Sequence, residues 1–290
     1  MTNHTRLFDP APRDAERIRI AANGATLSGR IFIPAGRARA IAVLHGAVGV
    51  PQTVYRHFAA WLAAERSIAC LTYDYRDFGA SAVRPMKHSR ATLTDWGLYD
   101  QAAANDLAKS LFAGVPLWSI GHSLGGAMMP FHKVPGLERA IVIAAGIAHV
   151  SDHPWPYQGL ARQFWHLSGP LATWAAGYMP GSKIGFGSNL PAGVFWQWRR
   201  WCTKRGFYLN EAGRDLPQLD AQRHTAPTRF VAISDDVMVP PRAVWRLMTL
   251  FPEARRSQLV LRPKDFGLTG IGHLGAFRRD SAKLWSAMIA

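Results

Sequence analysis

The chain has 290 residues and carries 34 Lys+Arg against 19 Asp+Glu, a formal charge of +15. Hydrophobic residues make up 48% and charged residues 18%, a balance that excludes wholesale disorder. At this length the core needs no disulfide or metal staple, and two cysteines, Cys70 and Cys202, are too few for a disulfide framework or a zinc ribbon.

In chain order, Glu16 to Ala21 and Ala25 to Ile33 are strand-like runs joined by Asn23-Gly24, a strong hairpin signal. Ala38 to Leu44 is an almost continuous apolar run ending in His45-Gly46, as suits a strand covered on both faces. Thr53 to Ala64 spaces Phe58, Trp61 and Leu62 as a helix does. Ser67 to Tyr73 is a second buried strand, ending at Asp74, and Asp95 to Leu111 a helix. Val115 to Ile120 is a third strand, and Gly121-His122-Ser123-Leu124-Gly125-Gly126 opens the helix after it. Ala140 to Ala145 is a fourth strand. Alternation of this kind predicts an α/β fold: a mostly parallel central sheet with helices on both faces.

The rhythm breaks between Val150 and Thr225, where six of the eleven Trp fall among six prolines. This stretch is expected to be an inserted helical cap (150–225) between two parts of one core (1–149 and 226–290). Its tryptophans are read as packing of the cap on the core, and Arg199, Arg200, Lys204 and Arg205 as a solvated helix face. Alternation resumes with a strand at Thr228 to Ile233, a helix at Pro241 to Leu250, a strand at Gln258 to Leu261 and a helix at Ala276 to Met288.

The N-terminal residues Met1 to Arg6 show no apolar signal region, and no run is long enough to span a membrane, so a cytoplasmic protein is expected. The positive charges are scattered rather than clustered, which argues against a nucleic-acid partner; attraction to an anionic substrate, partner or membrane surface is the functional alternative. Neither a metal-ligand constellation nor a dinucleotide or phosphate loop is found, so no cofactor is expected.

The Gly121-x-Ser123-x-Gly125 pattern carries the chemistry. A serine hydroxyl is a poor nucleophile unless it stands clear of the sheet beside a base and oxyanion donors. A sharp strand-to-helix turn flanked by small residues achieves this. Three residues alone match by chance in one of a few chains this long; the strand before, the helix after and the additional Gly126 give the pattern its force. His273, in Gly272-His273-Leu274-Gly275 after the last strand, is the expected base. The orienting carboxylate is expected from Ser234-Asp235-Asp236-Val237, with Asp236 first and Asp235 second. The order Ser, Asp, His is the one this layout uses. The oxyanion donors are expected to be the backbone N–H of Leu124 and that of Ala47, or of Val48 beside it. His45 and His122 are read as shaping loops, and Tyr55 as either pocket lining or helix surface.

With these residues in place the chain resembles an α/β-hydrolase from about residue 15 to its end. The landmarks are Leu44-His45-Gly46, Asp74 to Ser81, Gly121 to Gly126, Asp236 and Gly272-His273. More narrowly, His45 to Leu62, Trp198 to Cys202 and Ile271 to Phe277 are similar to a bacterial group of predicted hydrolases near the serine-aminopeptidase-like lipases and esterases. The resemblance implies the fold and a Ser123–His273–Asp236 triad but no substrate. A carboxylic ester or thioester with an apolar acyl group, cleaved through an acyl-enzyme, is expected because the cap is rich in Trp, Phe, Leu and Met. Acyl transfer, aminopeptidase activity or a catalytically silent ligand-binding role are the alternatives. One departure stands out: Asp77 replaces the Gly usual after Arg76, a change that would alter that turn or put a carboxylate near the pocket rim.

Overall fold

The computed structural model describes residues 15–185, 187–219 and 224–290. Ten strands are present among them: β1 (Glu16–Ala22), β2 (Ala25–Phe32), β3 (Ala40–His45), β4 (Ile68–Tyr73), β5 (Leu117–His122), β6 (Leu137–Ile143), β7 (Tyr178–Met179), β8 (Leu190–Pro191), β9 (Thr228–Ile233) and β10 (Arg256–Leu261). Eight form one sheet in the order β1-β2-β4-β3-β5-β6-β9-β10, and β7-β8 is a separate two-stranded ladder. The hairpin β1–β2 is antiparallel, closed at Ala22↔Ala25 across Asn23-Gly24, with Gly24 at φ 77°. β2 is antiparallel to β4, and every later pairing in the sheet is parallel.

Every residue of β3, β4 and β5 is buried, because helices cover both faces. The pleat splits their side chains between two cores. Ile41, Val43, Leu71 and Val142 join Ala104, Leu124, Val244 and Leu247 on one face. Ala42, Leu44, Cys70 and Ile120 join Phe58, Leu62, Trp285 and Met288 on the other. The helices on the first face are α2 (Gln101–Leu111), α3 (Leu124–Ala127) and α7 (Pro241–Met248). Those on the second are α1 (Arg56–Arg66) and α9 (Trp285–Ile289). No helix among the described residues is long and apolar enough to cross a membrane.

Between β6 and β9 lie α4 (Tyr157–Gln163), α5 (Gly169–Ala176) and α6 (Ala192–Thr203). A π-helical turn, Phe164–Ser168, joins α4 to α5 without a break. These helices bury Ala161, Phe164, Trp165, Phe195 and Trp201 in the same cluster as Leu124 and Ala127. Gln197 on α6 ties them down: its amide donates to Thr94 Oγ1 (2.7 Å) and Glu211 Oε2 (2.9 Å) and its carbonyl oxygen accepts from Thr94 N–H (3.0 Å). Trp165 and Trp201 pack as the sequence suggests, but Trp155 and Trp174 are exposed. Arg199 and Arg200 are not a free face either. Arg199 Nε donates to the Trp165 carbonyl and Arg200 pairs with Glu211 at 3.0 Å.

One helix is short and one expected helix is broken. α3 ends at Ala127 because Pro130 follows, offering no N–H and disfavouring a helical residue before it. The run from Ala276 to Met288 is not one helix. α8 (Gly272–Gly275) is followed by a 3₁₀ stretch, Arg279–Leu284, and then α9. The Ala276 carbonyl is taken by the Trp285 indole N–H at 2.8 Å, and Phe277 packs edge-on against Tyr55, centroids 4.9 Å apart. A tertiary contact thus displaces the local ladder there.

Asp77 keeps the turn that a Gly would make. It sits at φ 55°, a conformation Asp tolerates better than most residues. Its carboxylate accepts from Ser89 Oγ at 2.7 Å and lies 3.7 Å from Arg84, so it holds the 82–90 loop.

Candidate active site

Ser123 stands between the end of β5 and the start of α3, at φ 53° and ψ −116°. A non-glycine residue there is strained by roughly 1–3 kcal/mol and needs surroundings that hold it. Ser123 N–H donates to the Ile143 carbonyl (3.0 Å), and its own carbonyl accepts from Gly126 N–H (3.1 Å) and Ala127 N–H (2.9 Å). The neighbouring glycines are required by space. A Cβ on Gly125 would lie 2.0 Å from the His45 carbonyl oxygen, and one on Gly121 would lie 2.4 Å from Gly126 N. Beyond α3, Tyr208 Oη donates to the Ala127 carbonyl at 2.7 Å, satisfying an otherwise open helix end.

Asp236 and His273 meet across the sheet's end. His273 Nδ1–H donates to Asp236 Oδ2 at 2.7 Å, while Asp236 Oδ1 accepts from Met238 N–H (2.8 Å) and Val239 N–H (2.9 Å). The Asp236 side chain is fully buried, and that of His273 is 8% exposed. With Nδ1 committed, Nε2 is the ring nitrogen left to accept a proton. Asp235 is exposed and has a different task. It accepts from Ile271 N–H (2.8 Å) and Gly272 N–H (3.2 Å), fixing the loop that carries His273. Of the two carboxylates, only Asp236 touches the imidazole.

Ser123, Leu124 and His273 line one cavity, of about 70 Å³, whose other walls are mainly Phe164, Trp165, Trp198, Trp201 and Met238. Val48 also lines it. The first turn of α3 leaves the Leu124 N–H without an intrahelical acceptor.

Ala47, the sequence's first choice for the second oxyanion donor, needs correction. Its N–H donates to Tyr55 Oη at 2.9 Å in a buried contact, and Val48, not Ala47, reaches the cavity. Tyr55 is neither pocket lining nor helix surface but fully buried at the start of α1. Its hydroxyl donates to His122 Nδ1 (2.9 Å), and His122 Nε2–H donates to the His273 carbonyl (3.0 Å). Carbonyl oxygen accepts only, so the directions are fixed along Ala47, Tyr55, His122 and His273. This chain ties the loop after β3 to the loop bearing His273. Sequence alone signals little of it, since Tyr55 and His122 are 67 residues apart. Burial, and then the charge His273 would carry, pushes the His122 pKa well below its ordinary value, so its neutral form is held. A second buried imidazole, His45, donates or accepts at Tyr73 Oη (2.7 Å), and burial is the main cause that lowers it to about 3.

The sequence profile of the "Alpha/beta hydrolase family" matches residues 41–280. The chain belongs to the alpha/beta hydrolase family. Solved structures share this alpha/beta-hydrolase fold at low identity. One is a soluble variant of monoglyceride lipase from Saccharomyces cerevisiae with a substrate analogue (TM-score 0.63, 12% identity, 97% of each chain covered). Another is an esterase from Pyrococcus furiosus (TM-score 0.59, 13% identity, 97% of this chain and 92% of that one). A third is a thermophilic esterase from Thermogutta terrifontis with malate bound (TM-score 0.58, 15% identity, 95% and 97%). No curated protein matches the chain by sequence.

The buried chain of hydrogen bonds through Tyr55 and His122 makes two predictions. Tyr55→Phe strands two buried polar groups, Ala47 N–H and His122 Nδ1, and should cost about 2–4 kcal/mol in denaturant unfolding; a change within about 0.5 kcal/mol would contradict the assignment. His45 and His122 are both lowered in the folded state, so below about pH 6.5 the unfolded chain binds protons the folded chain does not. Stability is therefore full above that pH and falls on acidification, by about 3 kcal/mol for the two together between pH 7.5 and 5.5. Unfolding curves at the two pH values check this, and an unchanged or rising stability at pH 5.5 would contradict it.

Proposed function

We propose that the protein is a serine hydrolase that cleaves a carboxylic ester or thioester through an acyl-enzyme. The observation that carries this reading is the buried Asp236–His273 hydrogen bond of 2.7 Å, opening on the cavity that Ser123 lines from its strained turn. In the reaction Ser123 Oγ attacks the acyl carbonyl and His273 Nε2 takes the hydroxyl proton. Asp236 holds the imidazole tautomer and stabilises the imidazolium. The tetrahedral oxyanion is met by Leu124 N–H and Val48 N–H. Collapse of the intermediate breaks the bond to the leaving group, which receives the proton from His273. Water, deprotonated by the same nitrogen, then releases the acid and restores Ser123.

The apolar, aromatic walls support an apolar acyl group over a charged one. Residues 150–225 are proposed to act as a cap, because Phe164, Trp165, Trp198 and Trp201 from this stretch supply the cavity wall facing Ser123 and His273. The small cavity favours short or flexible acyl chains unless the cap shifts.

A panel of p-nitrophenyl esters and acyl thioesters of graded length tests the proposal. The native protein should hydrolyse short apolar members; Ser123→Ala should lose about 10⁵–10⁶-fold in kcat and Asp236→Asn about 10⁴-fold. Asp235→Asn should lose far less, since Asp235 orders a loop without touching the ring. No turnover of any member by the native protein, or turnover unchanged in Ser123→Ala, would favour a silent ligand-binding fold instead.

A further inference from the structure

The continuous helical stretch formed by α4, the π-turn and α5 is apolar on two sides. Its inner side, Ala161, Phe164 and Trp165, lines the cavity. Its outer side presents Leu160, Leu167, Leu171 and Trp174, with Trp155 just before it, and these are 54–83% exposed. Leu160, Leu167, Leu171 and Trp174 recur along the solvent side of the stretch, through the π-turn and into α5. Ordinary cap packing needs the inner side only. A stripe of Leu and Trp left in water costs solubility and marks an interaction surface.

The charge around the stripe says what covers it. From His153 to Asn210 there are six Lys and Arg and no Asp or Glu. Arg162, Lys183, Lys204 and Arg205 are exposed. Lys87 adds to them: its Cβ is 3.4 Å from where a Cβ on Gly177 would stand, at the end of α5. The same 82–90 loop shows Val83 at 73% exposure and exposed Arg84 and Arg90. The loop itself has no Asp or Glu, and Asp77, outside it, lies against Arg84. A second copy of this chain would bring like charge against like. An anionic lipid bilayer accepts both features at once, with Trp and Leu entering the headgroup boundary and cations meeting lipid phosphates.

We propose that the outer face of α4–α5, with the cations around it, docks the protein on an anionic membrane surface. The contact is peripheral, and it places the cavity's cap at the lipid interface. It goes beyond the hydrolase reading and does not depend on Ser123 being reactive.

Co-sedimentation of the full chain with vesicles of phosphatidylcholine, alone or mixed with phosphatidylglycerol, tests it without reference to turnover. The native protein should bind the anionic vesicles at least tenfold more tightly than the neutral ones, and less tightly as salt is raised. Leu171→Ser with Trp174→Ser should weaken binding at least tenfold, and Lys87→Glu with Arg162→Glu should abolish the preference for anionic lipid. Both pairs are exposed, so their melting temperatures should stay native, which separates lost docking from lost folding. Absence of binding to anionic vesicles, equal binding to neutral ones, or binding unaffected by either pair would overturn the proposal. So would a dimer of the native chain in vesicle-free buffer that Leu171→Ser with Trp174→Ser converts to monomer.

Discussion

The site depends on one close approach. α3 lies so near the ends of β3 and β5 that a side chain on Gly125 would collide with the His45 backbone and one on Gly121 with Gly126. Ser123 takes up a positive-φ turn at this contact and lines the cavity. The strain is offset by three backbone hydrogen bonds made through Ser123 itself.

Around that elbow, parts from distant segments are fixed by polar bonds, most of them partly or wholly buried. Asp236 is held by two backbone amides and in turn holds the His273 ring; Asp235 holds the backbone before that ring; His122 holds the backbone carbonyl of His273 itself. Left unpaired, such buried groups would each cost more than their bonds contribute, so the arrangement has few alternatives. The apolar wall opposite comes from helices that share a core with α3, so the cavity's shape is coupled to the elbow's packing.

Much of this is legible in the sequence, for reasons that can be named. β3, β4 and β5 read as apolar runs because both their faces are covered, and Asn23-Gly24 announces the hairpin through its backbone conformation. The serine turn is visible because sterics admit only small residues at 121, 125 and 126. Asp236 and His273 are legible by their place after late strands, and the structure brings these two together. What the sequence conceals is non-local. Tyr55 sits at helical spacing, yet its hydroxyl serves Ala47 and His122, which diverts the Ala47 N–H from the cavity. The stretch from Ala276 has helical periodicity, yet the Trp285 indole captures its first carbonyl. Periodicity also cannot tell a tryptophan packed inward, such as Trp201, from one facing water, such as Trp174.

The central proposal is that Ser123 is a nucleophile activated by His273. The most direct measurement is peptide mapping of the protein after brief exposure to a fluorophosphonate. One phosphonyl adduct on Ser123 is expected, formed at least a hundredfold more slowly in His273→Gln. An adduct on another residue alone, no adduct, or equal labelling in the histidine variant would contradict the account.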